Sequence, residues 1–312
     1  MKKNITEKNE RPLVSIGIPV HNGGVKLRNS LSSIFNQSYY PVEIIISDNA
    51  STDGTADYLN KLNAPNNINV KIYSQTTNIG PTENFKFVLQ KSSGKYFMWL
   101  AHDDVISPAF IAECVDALEA NTDLVLVSGM SKIDDIPTNH PQTHINFLQD
   151  EPLSRMNTYL QTVTDNSIFY GLIRKSSLNK IKLKNCLAGD WLVVCGLLVQ
   201  GKAQTLTTVN INRGSGGTSK TIKNIVNILR LPKFSAKLPF ISIATNLASE
   251  ILTPNYIYSS LKFTDRVLLL LRMLFTIIVV KPRLPERARH RLNMLRNKLS
   301  NCFSLGRNKN VQ

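Results

Sequence analysis

Two adjacent carboxylates, Asp103 and Asp104, directly follow the apolar run KYFMWLA at residues 95–101. Like charges this close are costly unless a cation or a hydrogen-bond donor neutralises one of them. Mg²⁺ would do so, since it typically binds one or two protein carboxylates together with phosphate oxygens. The pair also fits a second interpretation, in which one Asp caps a helix near Pro108 and the other is solvated. The spacing alone leaves both interpretations open.

Two further acids occupy positions from which they could take part in chemistry. Asp48 follows the apolar run VEIIIS and could accept a hydrogen bond from a base N–H or a ribose hydroxyl. Because it also belongs to the turn-rich segment SDNASTDGT, it could equally be a turn or capping residue. Asp190 lies near the start of a predicted helix, where it could act as a general base or interact only with the helix dipole.

Two common phosphate-binding motifs are absent from the sequence, which contains neither GxGxxG nor a Gly-rich P-loop, whose last Gly is followed directly by Lys-Ser or Lys-Thr. Their absence argues against a dinucleotide-dependent oxidoreductase and against a P-loop kinase. A different Gly-rich segment, GSGGTS at residues 214–219, follows Arg213. It fits a phosphate-facing loop and a flexible linker equally well.

The polar segments follow apolar runs that alternate with helix-like spacing, which indicates an α/β protein with a mostly parallel, doubly wound sheet. Ligands of such sheets bind beyond the carboxyl ends of the strands, where these segments lie. We expect strands over residues 13–20, 42–47, 69–74, 95–101 and 123–130, with helices over 25–35 and 56–62, from residue 81, and over 108–119. Residues 131–155 show no regular pattern. A strand over 167–173, a helix over 189–200 and a strand over 203–212 follow.

The segments SIGIPVHNGG, SDNASTDGT, NIGPTENF and GKYFMWLAHDD, in this order, closely resemble the family 2 glycosyltransferases with the GT-A fold. The resemblance covers roughly residues 12–219. It implies a nucleotide-diphosphate-sugar donor, UDP- or dTDP-linked, a divalent metal (Mg²⁺ or Mn²⁺) and inversion at the anomeric carbon. It divides the domain into a nucleotide-binding half, residues 12–130, and an acceptor and catalytic half, residues 131–219.

The resemblance also implies roles for single residues. It makes Asp190 the catalytic base and Asp103 and Asp104 the metal-binding pair. In the family's Asp-x-Asp-Asp pattern, however, Ala101 stands where the first Asp belongs, and His102 is a partial substitute. The residues predicted to bind the nucleotide sugar are Pro19, His21, Asn22, Asp48, Asn78, Gly80, His102, Asp103 and Arg213.

The positive charge of the chain, +15 in total, is concentrated at its C-terminal end. Residues 220–312 carry 17 basic and 3 acidic side chains, whereas residues 1–219 carry 20 and 19. The apolar run at 267–280 would span about 21 Å as a helix, short of a ~30 Å hydrocarbon core. A basic amphipathic helix over 281–300 is typical of a segment that lies on an anionic membrane surface. A helix packed on the body is the alternative; the aliphatic content argues against nucleic acid.

Together these features predict a cytoplasmic, peripheral enzyme on the inner face of the plasma membrane. It would transfer a sugar to a polyprenyl-linked or oligosaccharide acceptor in surface polysaccharide (O-antigen or capsule) assembly. The start MKKNITEKNER lacks the apolar segment of a secretory signal, and the four cysteines lack a paired spacing, which fits a reducing compartment. The alternatives are a sugar-phosphate nucleotidyltransferase, although HNGG lacks the Gly-rich basic loop of that class, and a non-catalytic membrane-binding homologue.

Overall fold

The computed structural model describes residues 11–133, 145–163, 166–214, 221–253 and 257–275. The strands are β1 (Val14–Val20), β2 (Val42–Asp48), β3 (Ile68–Ser74), β4 (Tyr96–Trp99), β5 (Val105–Ile106), β6 (Leu124–Ile133), β7 (Leu172–Arg174) and β8 (Lys202–Arg213). The helices are α1 (Gly24–Phe35), α2 (Thr55–Asn60), α3 (Pro81–Gln90), α4 (Phe110–Ala120), α5 (Pro152–Thr162), α6 (Lys175–Leu178), α7 (Gly189–Gln200), α8 (Ile222–Ile228), α9 (Phe234–Lys237), α10 (Pro239–Leu252) and α11 (Phe263–Leu274). Short 3₁₀ turns occupy Ser167–Tyr170 and Tyr258–Ser260.

The described residues form one eight-stranded mixed sheet in the order β3-β2-β1-β4-β7-β6-β8-β5. Its first four strands are parallel, as predicted, and β6 is parallel to β8. Strand β7 is antiparallel to both of its neighbours, and β5 is antiparallel to β8. Every residue of β1 and β2 is buried, which explains why both strands appear in the sequence as continuous apolar runs.

The sheet separates two apolar cores in the described part of the chain. Successive side chains along β2 and β4 point to opposite faces of the sheet. Ile44 and Met98 therefore pack in one core, and Ile45 and Trp99 pack in the other. The second core also contains buried side chains of α7, α10 and α11. The described residues beyond 220 therefore pack onto the body. No helix among the described ranges is long and apolar enough to cross a membrane. The predicted helix over 281–300 lies outside the described residues.

Two expectations about local structure were wrong, and one short strand was not predicted. Residues 167–173 are not one strand, because Asn166 adopts a left-handed conformation (φ 52°) and starts a 3₁₀ turn, which leaves only Leu172–Arg174 extended. The turn stacks Phe169 on Trp99, with ring centroids 4.8 Å apart. The irregular stretch is also shorter than predicted, because β6 extends to Ile133 and α5 begins at Pro152. Strand β5, with two residues, is too short to produce a periodic pattern.

A buried carboxylate, Glu43, connects the strands that carry the candidate site. Its Oε1 accepts hydrogen bonds from Ser15 Oγ (2.6 Å), Ser93 N (2.6 Å) and Ser93 Oγ (2.8 Å). Its Oε2 accepts a charged hydrogen bond from Lys71 Nζ at 2.9 Å. Burial alone would raise the pKa of Glu43, but these hydrogen bonds outweigh it and lower the pKa from 4.5 to about 2. The ionised carboxylate thereby links β1, β2, β3 and the start of β4.

Replacing this carboxylate, Glu43→Gln, is expected to reduce the free energy of unfolding by about 3 kcal/mol at pH 7. A carboxyl whose pKa is depressed on folding stabilises the protein above its unfolded pKa. That stabilisation is lost as pH falls from 4.5 towards 2. Urea unfolding at pH 7 and pH 3 should therefore show a difference between the two proteins that shrinks on acidification. An equal difference at both pH values would contradict the proposed linkage.

Candidate active site

The ends of β1 and β2 bring two of the predicted nucleotide-binding residues together. His21 Nδ1 lies 3.0 Å from the Asn49 carbonyl oxygen, and His21 Nε2 lies 3.3 Å from Asn78 Nδ2. Asn49, which the sequence analysis missed, is buried and donates to Asn78 Oδ1 (3.1 Å) while accepting from Ile79 N (2.8 Å). Asn78 Oδ1 also accepts a hydrogen bond from Gly80 N at 2.9 Å, and Gly80, just before α3, has a φ of 84°. Asn49 thus holds both segments in place.

Asp48 and Asn22 organise the loop between β2 and α2. Asp48 Oδ1 accepts from Ser51 N (3.1 Å) and Ser51 Oγ (2.5 Å), so the turn role of this buried Asp is observed. Asn22, in the left-handed region at φ 55°, accepts from Thr52 N at 2.8 Å. Pro19 is buried within β1, in register with Ser47 of β2. The ligand-binding roles of these residues remain predictions.

Asp103 and Asp104 lie in different environments although they are adjacent. The Asp103 side chain is 11% exposed, and its Oδ2 lies 3.9 Å from Lys26 Nζ. Asp104 is buried, and its Oδ1 accepts from Gly214 N at 3.2 Å. A Cβ on Gly214 would lie 2.8 Å from Asp103 Oδ2 and 2.9 Å from the Asp103 carbonyl oxygen. Only glycine fits this contact, which brings the end of β8 against the acidic pair; residues 215–219 lie outside the described ranges.

These residues fit a metal that is held jointly with a diphosphate. Within the described ranges, no group of three or more His, Cys, Asp or Glu side chains is placed to hold an ion by itself. Asp103 offers a partly exposed carboxylate. Ala101 has no carboxylate, and Asp104 already accepts a hydrogen bond from Gly214 N. Mg²⁺ and similar ions accept one protein carboxylate when phosphates supply further oxygens. Burial lowers the pKa of His102. The charge of Lys26 lowers it further, whereas the charge of Asp103 acts in the opposite direction. The lowered pKa favours a neutral imidazole beside the acidic pair.

Asp190 lies in the first turn of α7, after Ala188 in a left-handed conformation (φ 59°). Its Oδ2 accepts a hydrogen bond from Asn166 Nδ2 at 2.6 Å. Burial raises the pKa of Asp190, while the Asn166 amide, the backbone N–H of Trp191 and the charge of Arg213 oppose the rise. The carboxylate is therefore partly exposed and is stabilised by donors, which is an arrangement suited to a base.

Tyr170 lies within electrostatic range of all these charges. Burial raises the pKa of its hydroxyl above the usual value; Arg213 opposes the rise, and Asp104, Asp190 and Asp103 reinforce it. The Arg213 guanidinium carbon lies 5.3 Å from the centroid of the Tyr170 ring. Arg213 thus contacts the Tyr170 ring, while the acidic pair and Asp190 act on the Tyr170 hydroxyl through their charges. The sequence analysis missed Tyr170 because it placed this residue inside a strand.

Comparisons with known proteins relate the chain to glycosyltransferases. The model of the family "Glycosyl transferase family 2" matches residues 15–182. An uncharacterized glycosyltransferase of Haemophilus influenzae is 33% identical over 122 residues, 39% of this chain and 38% of the relative. The abequosyltransferase RfbV of Salmonella typhimurium is 32% identical over 116 residues, 36% of this chain and 35% of the relative. The chain thus matches less than two fifths of the length of these two curated relatives.

Solved structures show the same fold. The crystal structure of S. aureus TarS 1-349 matches with a TM-score of 0.62 at 16% identity, over 86% of this chain and 72% of that one. The crystal structure of the same protein in complex with UDP-GlcNAc matches with a TM-score of 0.60 at 16% identity, over 86% of this chain and 73% of that one. These matches confirm the GT-A fold implied by the sequence.

Proposed function

Because the chain belongs to glycosyl transferase family 2 and is thereby a glycosyltransferase, we propose that it transfers a sugar from a UDP- or dTDP-linked donor to a hydroxyl group with inversion. The observation that carries the proposal is the close packing of Gly214, which follows Arg213, against the acidic pair Asp103 and Asp104, with the charge of Arg213 also acting on Asp190. An acidic pair for a metal diphosphate, a cation and a partly exposed base would then serve one reaction. The UDP-GlcNAc complex of the structural neighbour TarS supports a UDP-linked donor.

In the proposed mechanism, the nucleotide binds along the ends of β1 and β2. Asp48 would accept from the base or ribose, and His21, Asn22, Asn78 and Gly80 would line the same edge. Asp103, with Asp104 and His102 behind it, would hold a divalent metal together with the donor diphosphate. When bound, such an ion neutralises charge on the diphosphate leaving group. Arg213 adds a fixed positive charge on the same side.

Asp190 would remove the proton of the acceptor hydroxyl as its oxygen attacks the anomeric carbon. The new C–O bond forms opposite the bond to the diphosphate, which leaves with the bonding electron pair. This in-line geometry inverts the anomeric centre and passes through an oxocarbenium-like transition state. In this proposal residues 12–130 bind the nucleotide, and residues 131–219 bind the acceptor and catalyse transfer.

Donor binding is tested directly by a thermal-shift screen of UDP- and dTDP-linked sugars with and without Mn²⁺. A ligand that binds only the folded protein stabilises it in proportion to its affinity. We expect a UDP- or dTDP-linked sugar to raise the Tm, and more so with Mn²⁺. The proposal fails if no nucleotide sugar raises the Tm under either condition.

We further propose that the acceptor is a polyprenyl-linked or oligosaccharide intermediate of surface polysaccharide (O-antigen or capsule) assembly. The name of the related abequosyltransferase supports a role in saccharide assembly. The enzyme would then lie peripherally on the inner face of the plasma membrane, with residues 220–312 as the associating region. Of the 13 exposed large apolar side chains in the described part of the chain, 10 lie within residues 222–275. Residues 221–275 also carry seven basic and two acidic side chains.

The double variant Phe263→Glu, Leu271→Glu is expected to weaken binding to phosphatidylglycerol vesicles by at least about 10-fold. Both side chains are exposed on α11, at 65% and 59%. The change removes apolar contact area and adds negative charge facing anionic lipid, where each basic residue contributes about 1 kcal/mol. Vesicle co-sedimentation at low salt measures the effect. Val25→Glu, at a 71% exposed apolar position on α1, is the control and should bind like the wild type. Equal binding of all three proteins would contradict a membrane role for α11.

A further inference from the structure

Asn166 connects Asp190 to the interior of the protein. Its Nδ2 donates to Asp190 Oδ2 at 2.6 Å, and its Oδ1 accepts from the hydroxyl of Tyr159 at 2.6 Å. Asn166 is 4% exposed and Tyr159 is 1% exposed, so solvent does not compete for these bonds. The three side chains form a continuous line from α5 through the 3₁₀ turn to the first turn of α7.

The chemistry of the partners fixes which way the amide faces. An ionised carboxylate only accepts hydrogen bonds, so the NH₂ group of Asn166 must face Asp190. The carbonyl oxygen must then face Tyr159, whose hydroxyl can donate. The backbone at Asn166 is left-handed (φ 52°), a conformation that Asn adopts more readily than most other residues. Backbone and both partners therefore hold the amide in one orientation.

We propose that Asn166 is a positioning residue for proton transfer, holding one oxygen of the Asp190 carboxylate so that the other faces the acceptor hydroxyl. Tyr159 in turn holds the Asn166 amide. The proton moves from the acceptor oxygen to the oxygen of Asp190 that Asn166 does not hold. This inference rests on the proposed function, in which Asp190 is the base, and adds the group that orients it.

The surroundings of Asp190 predict how its titration depends on Asn166. Burial raises the pKa of Asp190, and the hydrogen bond from Asn166 is the strongest of the interactions that oppose the rise. Arg213 on β8 acts in the same direction as Asn166. Tyr170 and Cys186 also lie nearby, and burial raises the pKa of both, Cys186 to about 11, so both are neutral at pH 7. Loss of the Asn166 amide should therefore raise the pKa of Asp190.

Two variants of Asn166 test the inference, so that the test still stands if one of them fails to fold. Asn166→Gly removes the amide at a position whose left-handed backbone glycine adopts freely. Asn166→Asp keeps the shape of the side chain but, when ionised, cannot donate. The titration of Asp190 is followed by ¹³C NMR of the Asp carboxyl groups, with the resonance assigned by its loss in Asp190→Asn. UDP release from UDP-GlcNAc is measured across pH in parallel.

We expect the titration midpoint of Asp190 to rise in Asn166→Gly, and the acidic limb of the pH–rate profile to move to higher pH in both variants. The kcat for UDP release should fall roughly 10- to 100-fold, the range for losing a hydrogen bond to a charged group, with KM for UDP-GlcNAc unchanged. Tyr159→Phe should produce a smaller change in the same direction.

A lower Tm with an unchanged Asp190 midpoint and an unchanged acidic limb would overturn the inference and leave Asn166 a purely structural role. Failure of the proposed function looks different, because Asp190→Asn would then release UDP as fast as the wild type. The NMR titration needs no substrate, so it tests Asn166 even if UDP-GlcNAc is not the donor.

Discussion

Asp190→Asn is expected to lower kcat for sugar transfer by about 10²- to 10⁴-fold, the range typical of a general base. The Asn side chain has the same shape, and its carbonyl oxygen can still accept the hydrogen bond from Asn166, so the fold around α7 should persist. It cannot accept a proton from the acceptor hydroxyl. In the proposed mechanism Asp190 acts on the acceptor hydroxyl and binds no part of the donor, so donor affinity should stay unchanged. Initial rates and donor thermal shifts measure the two quantities separately.

The competing explanation for Asp190 is that it only interacts with the dipole of α7. A matched control exists in Asp265, which lies in the first turn of α11. Asp265→Asn removes the same charge from an equivalent helix position and should cost only the few tenths to 1 kcal/mol of a helix-dipole interaction. If both variants changed stability slightly and neither changed kcat, Asp190 would be a helix acid and the proposed mechanism would lack its base.

The parallel half of the sheet could be predicted because its strands are buried on both faces. Burial of every residue in β1 and β2 gives runs that are apolar apart from Ser15 and Glu43, and polar segments follow directly where those runs end. Since parallel strands all end at one edge, the sequence order alone predicts that these segments meet. The strands that run antiparallel to their neighbours, β5 and β7, offer no such pattern. Strands β5 and β7 contain two and three residues, too few for any periodicity.

The residues that organise the site could not be predicted, because their contacts are set by tertiary structure. Asn49 is one polar residue of a turn-rich segment, yet it is buried and joins the ends of β1 and β2 to the segment before α3. Asn166 lies 24 positions from Asp190 in the sequence. Nothing in the local composition distinguishes either amide from an ordinary loop residue. The three-dimensional arrangement alone shows which polar side chains are buried and paired.

Mn²⁺ is expected to raise the Tm of the protein only when UDP is also present, and Asp103→Asn should abolish that increment. Asp103 is the partly exposed carboxylate of the acidic pair. Asp104 accepts a hydrogen bond from Gly214 N, and the side chain of Ala101 cannot bind a metal. Lys26 lies 3.9 Å from Asp103 and opposes a free cation there, whereas a bound diphosphate would add negative charge and oxygen ligands. A ligand at 100 times its Kd stabilises the fold by about 2.7 kcal/mol, so the loss is measurable by thermal shift.

Two further variants distinguish metal binding at Asp103 from a structural effect of the Asp103→Asn substitution. Ala101→Asp restores a carboxylate two residues before Asp103 and should allow Mn²⁺ alone to raise the Tm. Lys26→Met removes the opposing cation without adding a ligand, and should strengthen the Mn²⁺ increment only when UDP is present. A Tm increase with Mn²⁺ alone in the wild type, or one that survives Asp103→Asn, would show that the ion binds elsewhere. If UDP raised the Tm equally with and without Mn²⁺, Lys26 and Arg213 would be the charges that neutralise the diphosphate, and the remaining acids would have a structural role.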